Sequence, residues 1–155
     1  VTAPSERLAG LGLVLPPVAA PLAAYVPATV VGRQVWTSGQ LPIVDGRLAA
    51  TGKVGGAVTA EHGAELARTC ALNGLAAAAS VAGGLDRIAR VLKAVVFVAS
   101  EPGFTAQPAV GNGASELLGE VFGEGGRHVR SAVGVAVLPL DAPVEVELVL
   151  ELAEA

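Results

Sequence analysis

The chain has 155 residues, of which 52% are hydrophobic and 15% charged, with a formal net charge of −4. That excludes intrinsic disorder, which requires low hydrophobicity with high net charge, and leaves room for one domain. The ten Lys and Arg are scattered without a basic run, against nucleic-acid binding, and the one cysteine, Cys70, excludes an intrachain disulfide framework. The apolar excess (mean hydropathy +0.61), mostly Ala, Val and Leu, exceeds what a lone domain needs and points to a buried subunit interface.

Ser5 begins a short amphipathic turn, Glu6 to Gly10. From Leu11 to Gly32 the chain is uncharged over 22 residues, long enough to span a bilayer. Pro16, Pro17, Pro21 and Pro27 forbid a single helix there, so no membrane span is expected. Glu6 sits where a signal peptide would be basic, and the prolines break its apolar core. Residues 1–21 therefore read as a turn and a proline-rich arm, and 22–155 as a single α+β domain. A cytoplasmic location follows as the expectation.

Tyr25 to Val31 reads as a strand, with Gln34 to Ser38 as its hairpin partner across Gly32-Arg33. Asp45-Gly46 signals a second hairpin between Pro42-Ile43-Val44 and Arg47-Leu48. Thr59 caps a long helix with a face of small residues (Ala60, Ala64, Ala67, Ala71, Gly74, Ala78), which Gly83-Gly84 ends. Cys70 falls on this helix as a small hydrophobe. Arg90 to Ala99 is a buried strand, and a second helix runs from Pro108 to Phe122, its start weakened by Gly111 and Gly113. Ser131 to Leu138 and Val144 to Leu152 close the chain as a strand pair around Pro139 to Pro143. This order predicts an α+β sandwich with two helices on one sheet face, whose other face needs a cover.

In the strand pair, Arg130, Ala132, Gly134 and Ala136 share a face, as do Glu145, Glu147 and Glu151. Arg130 followed by three small side chains leaves open volume beside a cation. If the two strands pair as a hairpin, the arginine face is also the glutamate face. Arg130 would then lie about 26 Å from the turn, at ~3.3 Å per residue. Arg130 and Glu145 of one chain would be too far apart to share a small-molecule site, and would cooperate only between subunits. The alternative is that Arg130 pairs with a surface carboxylate and the glutamates form a solvated face. Cys70, His62 and His128 lack metal-ligand spacing, so no metal is expected.

Two segments together carry a resemblance, the second long and specific, the first weak alone. Thr37-Ser38-Gly39-Gln40-Leu41-Pro42 is similar to a TSGQ(I/L)P segment, and Arg130-Ser131, Val133, Val135, Leu138-Pro139 and Val144-Glu145-Val146-Glu147 to a pattern RSxVxVxxLPxxxxVEVE. With Tyr25-Val26 before the first motif, and Phe104 and Asn112 before the second, the chain resembles the Rid (YjgF) family of reactive-intermediate deaminases, in a less characterised branch. The resemblance covers residues 22–153. It implies a chorismate-mutase-like α+β fold and a homotrimer with a barrel-like core and sites at the subunit clefts. It also implies cofactor-free hydrolysis of 2-imino and 2-enamino acids to 2-keto acids and ammonia.

Residue by residue, the resemblance makes Arg130 the binder of the substrate carboxylate and Glu145 the holder of the attacking water. It makes Tyr25, Ser38, Gly39, Asn112 and Ala132 substrate-binding. Ala132 stands where well-known members have cysteine. Structural readings compete at several positions: Glu145 as strand-face polarity, Tyr25 as a core-covering aromatic, Ser38 and Gly39 as hairpin residues, Asn112 as a helix cap. Trp36 and Phe104 are expected in the core, and Glu147 in a structural role. Two other functions stand beside the deaminase: a non-catalytic trimer that binds small carboxylic or 2-keto acids, and an endoribonuclease, which the acidic composition disfavours.

Overall fold

The computed structural model describes residues 1–21 and 23–155; Leu22, the first residue of the expected main domain, lies outside them. Helix α1 (Pro4–Gly10) starts one residue before Ser5 and places Leu8 in the hydrophobic core. Ser5 is tied by its backbone N–H and its hydroxyl to the Asp86 carboxylate, at 2.8 and 2.7 Å. Strands β1 (Ala28–Val31) and β2 (Gln34–Thr37) form the first hairpin, and β3 (Ile43–Val44) and β4 (Arg47–Leu48) the second. Tyr25 precedes β1 rather than lying in it, because Pro27 has no N–H to give a ladder. Helix α2 (Ala60–Ala82) is capped by the Thr59 hydroxyl, which accepts from the His62 N–H, and ends at Gly83 in the left-handed region (φ 88). Then come β5 (Ile88–Ala99), α3 (Gln107–Phe122), β6 (Val129–Val135) and β7 (Val144–Leu152).

The five-stranded sheet has the order β1-β2-β7-β5-β6. The expected hairpin of β6 with β7 does not exist. Strand β6 pairs with β5 in parallel, and β7 pairs with the other edge of β5, antiparallel. The cause is α3: a helical crossover from β5 returns the chain parallel to β5, and a helix can then cover that end of the sheet. The link from β6 to β7 must cross β5, and it turns through Leu140 and Asp141, both at positive φ (59 and 60). Strand β6 ends at Val135, not at Leu138, as the chain leaves for this crossing.

Both long helices lie on one face. Val144, Val146, Leu148 and Leu150 of β7, with Val35, Ala94, Val96 and Val98 of neighbouring strands, are buried beneath them. Small residues set the spacing. Gly113 of α3 rests on the backbone of Ala64 in α2, and a Cβ there would overlap the Ala64 carbonyl. The glycine that weakens the helix start thus lets two helices touch. Cys70 is buried in α2, and its thiol is pushed up, first by burial and then by the Glu145 charge.

The opposite sheet face is uncovered in the single chain. Trp36, expected in the core, lies there half exposed (49%), with Val133 also exposed. The side chains alternate along β2, and the partner of Trp36 in the alternation, Val35, takes the core side. Phe104 packs against the core as expected.

Candidate functional site

Sheet register places Arg130 opposite Ala94 and Glu145 opposite Phe97. The two positions on β5 are three residues apart, an odd number, so Arg130 and Glu145 project from opposite faces of the sheet. This corrects the shared face expected from a hairpin. It also replaces the long separation: the two Cα positions are about 14 Å apart in the sheet plane, from ~3.3 Å per residue and ~4.8 Å per strand. Within one chain the obstacle between them is the sheet itself.

Arg130 leaves β6 on the helix side and reaches the first turns of α3. Its Nη1 donates to Asn112 Oδ1 (2.9 Å) and to Ser115 Oγ (3.2 Å), and its Nη2 to the Pro108 carbonyl (3.3 Å). All three acceptors are neutral, and among the described residues no carboxylate lies within ion-pair distance of this guanidinium. Arg68, by contrast, is paired with both oxygens of Glu120. Asn112 is inside α3, so the helix-cap reading fails; Ala106 holds that position. Ala132 follows Arg130 on the same face, and Gly111 fits closely against both: a Cβ on it would lie 3.2 Å from Arg130 Nη1 and 3.3 Å from Ala132 Cβ. The guanidinium opens into a cleft of about 470 Å³ lined in part by Asn112, Ser115, Arg127 and His128.

Glu145 leaves β7 on the open side. Its carboxylate packs against Gly39: a Cβ built there would overlap the Glu145 side chain, which would have to swing away. The bridge that fixes this approach is a pair of backbone bonds between Gln40 and Val146, at 2.8 and 3.0 Å. Burial, and then the neighbouring Glu147, raise the Glu145 carboxyl above the ordinary carboxylate range. Ser38, beside Gly39, spends its hydroxyl hydrogen on the Val26 carbonyl (2.6 Å), which ties the segment after Tyr25 to the end of β2. Tyr25 and Gly39 line one small cavity of about 30 Å³, the scale of a single water.

The seven candidate residues therefore form two groups. Arg130, Asn112 and Ala132 gather at the edge of the helix side; Glu145, Gly39, Ser38 and Tyr25 gather around the end of β2. Sequence reasoning missed Ser115, His128 and the Pro108 carbonyl. Ser115 follows Asn112 by three on a helix, and His128 precedes Arg130 by two on extended chain, so spacing alone could have drawn both toward Arg130.

Residues 5–152 match the family model described as "YjgF/chorismate_mutase-like, putative endoribonuclease". The chain belongs to the YjgF/RidA family. Protein TCP17 of Trypanosoma cruzi is 48% identical over 149 residues, covering 96% of this chain and 93% of that one. The Agrobacterium tumefaciens protein Atu1372, described as of unknown function, is 46% identical with a TM-score of 0.88, covering 97% of this chain and 92% of that one. RidA from the Antarctic bacterium Psychrobacter is more distant, at 26% identity and a TM-score of 0.62 over 87% of this chain and 94% of that one. This member is thus a YjgF/RidA-fold protein in a less characterised branch. No helix among its described residues is long and apolar enough to cross a membrane.

Proposed function

We propose that this YjgF/RidA-family protein hydrolyses 2-imino and 2-enamino acids to 2-keto acids and ammonia, without a cofactor, at clefts between the subunits of a homotrimer. The observation that carries the reading is the guanidinium of Arg130, held by three neutral acceptors and left with its charge uncompensated. A carboxylate supplies the missing charge and matches the fork bidentately.

The chemistry divides between the two groups of residues. Arg130, backed by Asn112 and with Ala132 leaving space beside it, anchors the substrate carboxylate, which sets the position of the adjacent C=N carbon. Glu145 holds a water and takes its proton as the oxygen bonds to that carbon and the C=N electron pair moves to nitrogen. Glu145 passes that proton to the nitrogen, giving a carbinolamine. It then takes the hydroxyl proton as the C=O forms and hands it to the nitrogen as the C–N bond breaks, so that ammonia leaves. An enamino acid enters this sequence after tautomerising to its imine, a proton moving from nitrogen to C3. A carboxyl raised above its ordinary range by burial is suited to taking and returning a proton. Tyr25, Ser38 and Gly39 wall the water side.

Arg130 and Glu145 of one chain face away from each other, so they share a substrate only if a second copy supplies one of them. The uncovered sheet face carrying Trp36 and Val133 is the surface such copies would bury. Mixing Arg130→Lys and Glu145→Gln subunits after dissociation tests this. With 2-aminoacrylate generated in the assay and held well below KM, each variant alone should work at no more than about a tenth of the wild-type rate, and a random mixture should regain about a quarter of the wild-type sites, because one interface in four pairs an intact arginine with an intact glutamate. A mixture as inactive as its parts, although its subunits have exchanged, would falsify the shared site.

Endoribonuclease, the activity in the family description, finds weaker support: the net charge is −4 and no basic stripe exists to follow a phosphate backbone. Binding of 2-keto acids without turnover would instead make the protein a sensor in the same cleft.

A further inference from the structure

We infer that Ser115 and His128 are positioning residues for Arg130, and that together they set the plane of its guanidinium so that a planar carboxylate meets the Nε and Nη2 donors. The inference rests on the anion-binding role proposed for Arg130. It concerns two residues outside that proposal.

The hydrogen bonds run in one direction. The Gly126 carbonyl only accepts, and it lies 2.6 Å from His128 Nδ1, so that nitrogen carries the hydrogen. In the neutral ring Nε2 then keeps its lone pair, and Ser115 Oγ is 2.9 Å away, donating to it. With its one hydrogen committed to His128, the Ser115 hydroxyl turns a lone pair toward Arg130 Nη1 at 3.2 Å. The chain Arg130 → Ser115 → His128 → Gly126 carbonyl thus begins at the cation and ends on backbone. Each bond in such a chain polarises the next.

Donor counting shows what this leaves for a ligand. Nη1 has two hydrogens, taken by Asn112 and Ser115. Nη2 gives one to Pro108. The Nε–H and the second Nη2 hydrogen have no acceptor among the described residues. A carboxylate needs two such donors. Because no partner in the chain is charged, the guanidinium is immobilised without being neutralised. Without Ser115 and His128, one Nη1 hydrogen loses its acceptor and the fork can rotate about its Nε–Cζ bond.

Nitrogen NMR of ¹⁵N-arginine-labelled protein tests this. The Arg130 Nη signals, identified by their loss in Arg130→Lys, should be separate and slowly exchanging in the wild type. Ser115→Ala and His128→Phe should speed guanidinium rotation at least about tenfold. They should weaken 2-oxobutanoate binding by about five- to tenfold, the loss of about one hydrogen bond, at unchanged stoichiometry. His128→Gln keeps an acceptor near the Nε2 position and should restore both properties, which a merely structural role for the ring would not do. Rotation unchanged in Ser115→Ala and His128→Phe, affinity within about twofold of wild type in either, or no rescue by Gln overturns the inference. If the wild type ignores 2-oxobutanoate altogether, the proposed function falls, and rotation rates and their rescue alone decide the positioning role.

Discussion

The arginine side and the glutamate side of this molecule prepare their charged groups in opposite ways. Arg130 is surrounded by neutral acceptors that hold the cation still and leave its charge whole. Glu145 is pressed against Gly39 and beside Glu147, where burial and a like charge make its anion costly. The first arrangement suits binding, since a fixed fork loses little freedom when an anion arrives. The second suits proton transfer, since a carboxylate that is poorly stabilised takes a proton readily. The proposed anchor and the proposed base thus lie on two sides of a single sheet.

The sharpest way to break this contrast is to remove each function separately. Glu145→Gln should lower kcat for 2-aminoacrylate hydrolysis by about 10²–10⁴-fold while changing 2-oxobutanoate affinity less than about threefold. Arg130→Lys should do the reverse, with KM and ligand affinity weakened by at least about tenfold through loss of the bidentate clasp. Steady-state kinetics with titration calorimetry reads both. If the two variants show the same pattern, the division into anchor and base is wrong.

A milder perturbation acts on one side only. Gly113→Ala forces α3 away from the Ala64 backbone, and α3 carries every acceptor that Arg130 uses except solvent. Overpacking of this kind costs about 1–3 kcal/mol, or several degrees of melting temperature. Ligand affinity should fall with it, whereas the elevated Glu145 carboxyl, followed by carbon NMR, should titrate as in the wild type. A shifted Glu145 titration would show that the two sides are coupled through the sheet.

The smallest effect is on stability. With the Glu145 carboxyl raised in the folded state, the folded protein retains a proton that the unfolded chain has released. Stability should therefore decline as pH rises from the ordinary glutamate range through the folded value. Glu145→Gln should remove that part of the decline and melt higher than the wild type at neutral pH. Thermal unfolding across that range measures it, and an unchanged slope would mean that burial at Gly39 exacts no cost.

How far the sequence is legible differs between local and distant features. The Thr59 cap, the Gly83 stop, the Asp45-Gly46 hairpin and the limits of β7 follow from residue chemistry within a few positions, and each stands in the structure where that chemistry puts it. Partner choice does not follow. Strands β6 and β7, adjacent in sequence and joined through Pro139, look like a hairpin; only the packing of α3 across the sheet reveals that β5 separates them. The candidate site shows the same split. Spacing and resemblance draw attention to Arg130 and Glu145, but their opposite faces depend on register against β5, and Ser115 meets both Arg130 and His128 only because α3 lies over the edge of β6.

By itself, then, the order of residues determined the succession of elements, the two ends of α2 and the family resemblance, because those depend on local hydrogen bonding and on side-chain period. Strand order, the direction of each charged side chain and the acceptors around Arg130 were decided by tertiary packing, because each depends on which apolar surfaces find one another across stretches of chain that no local rule connects.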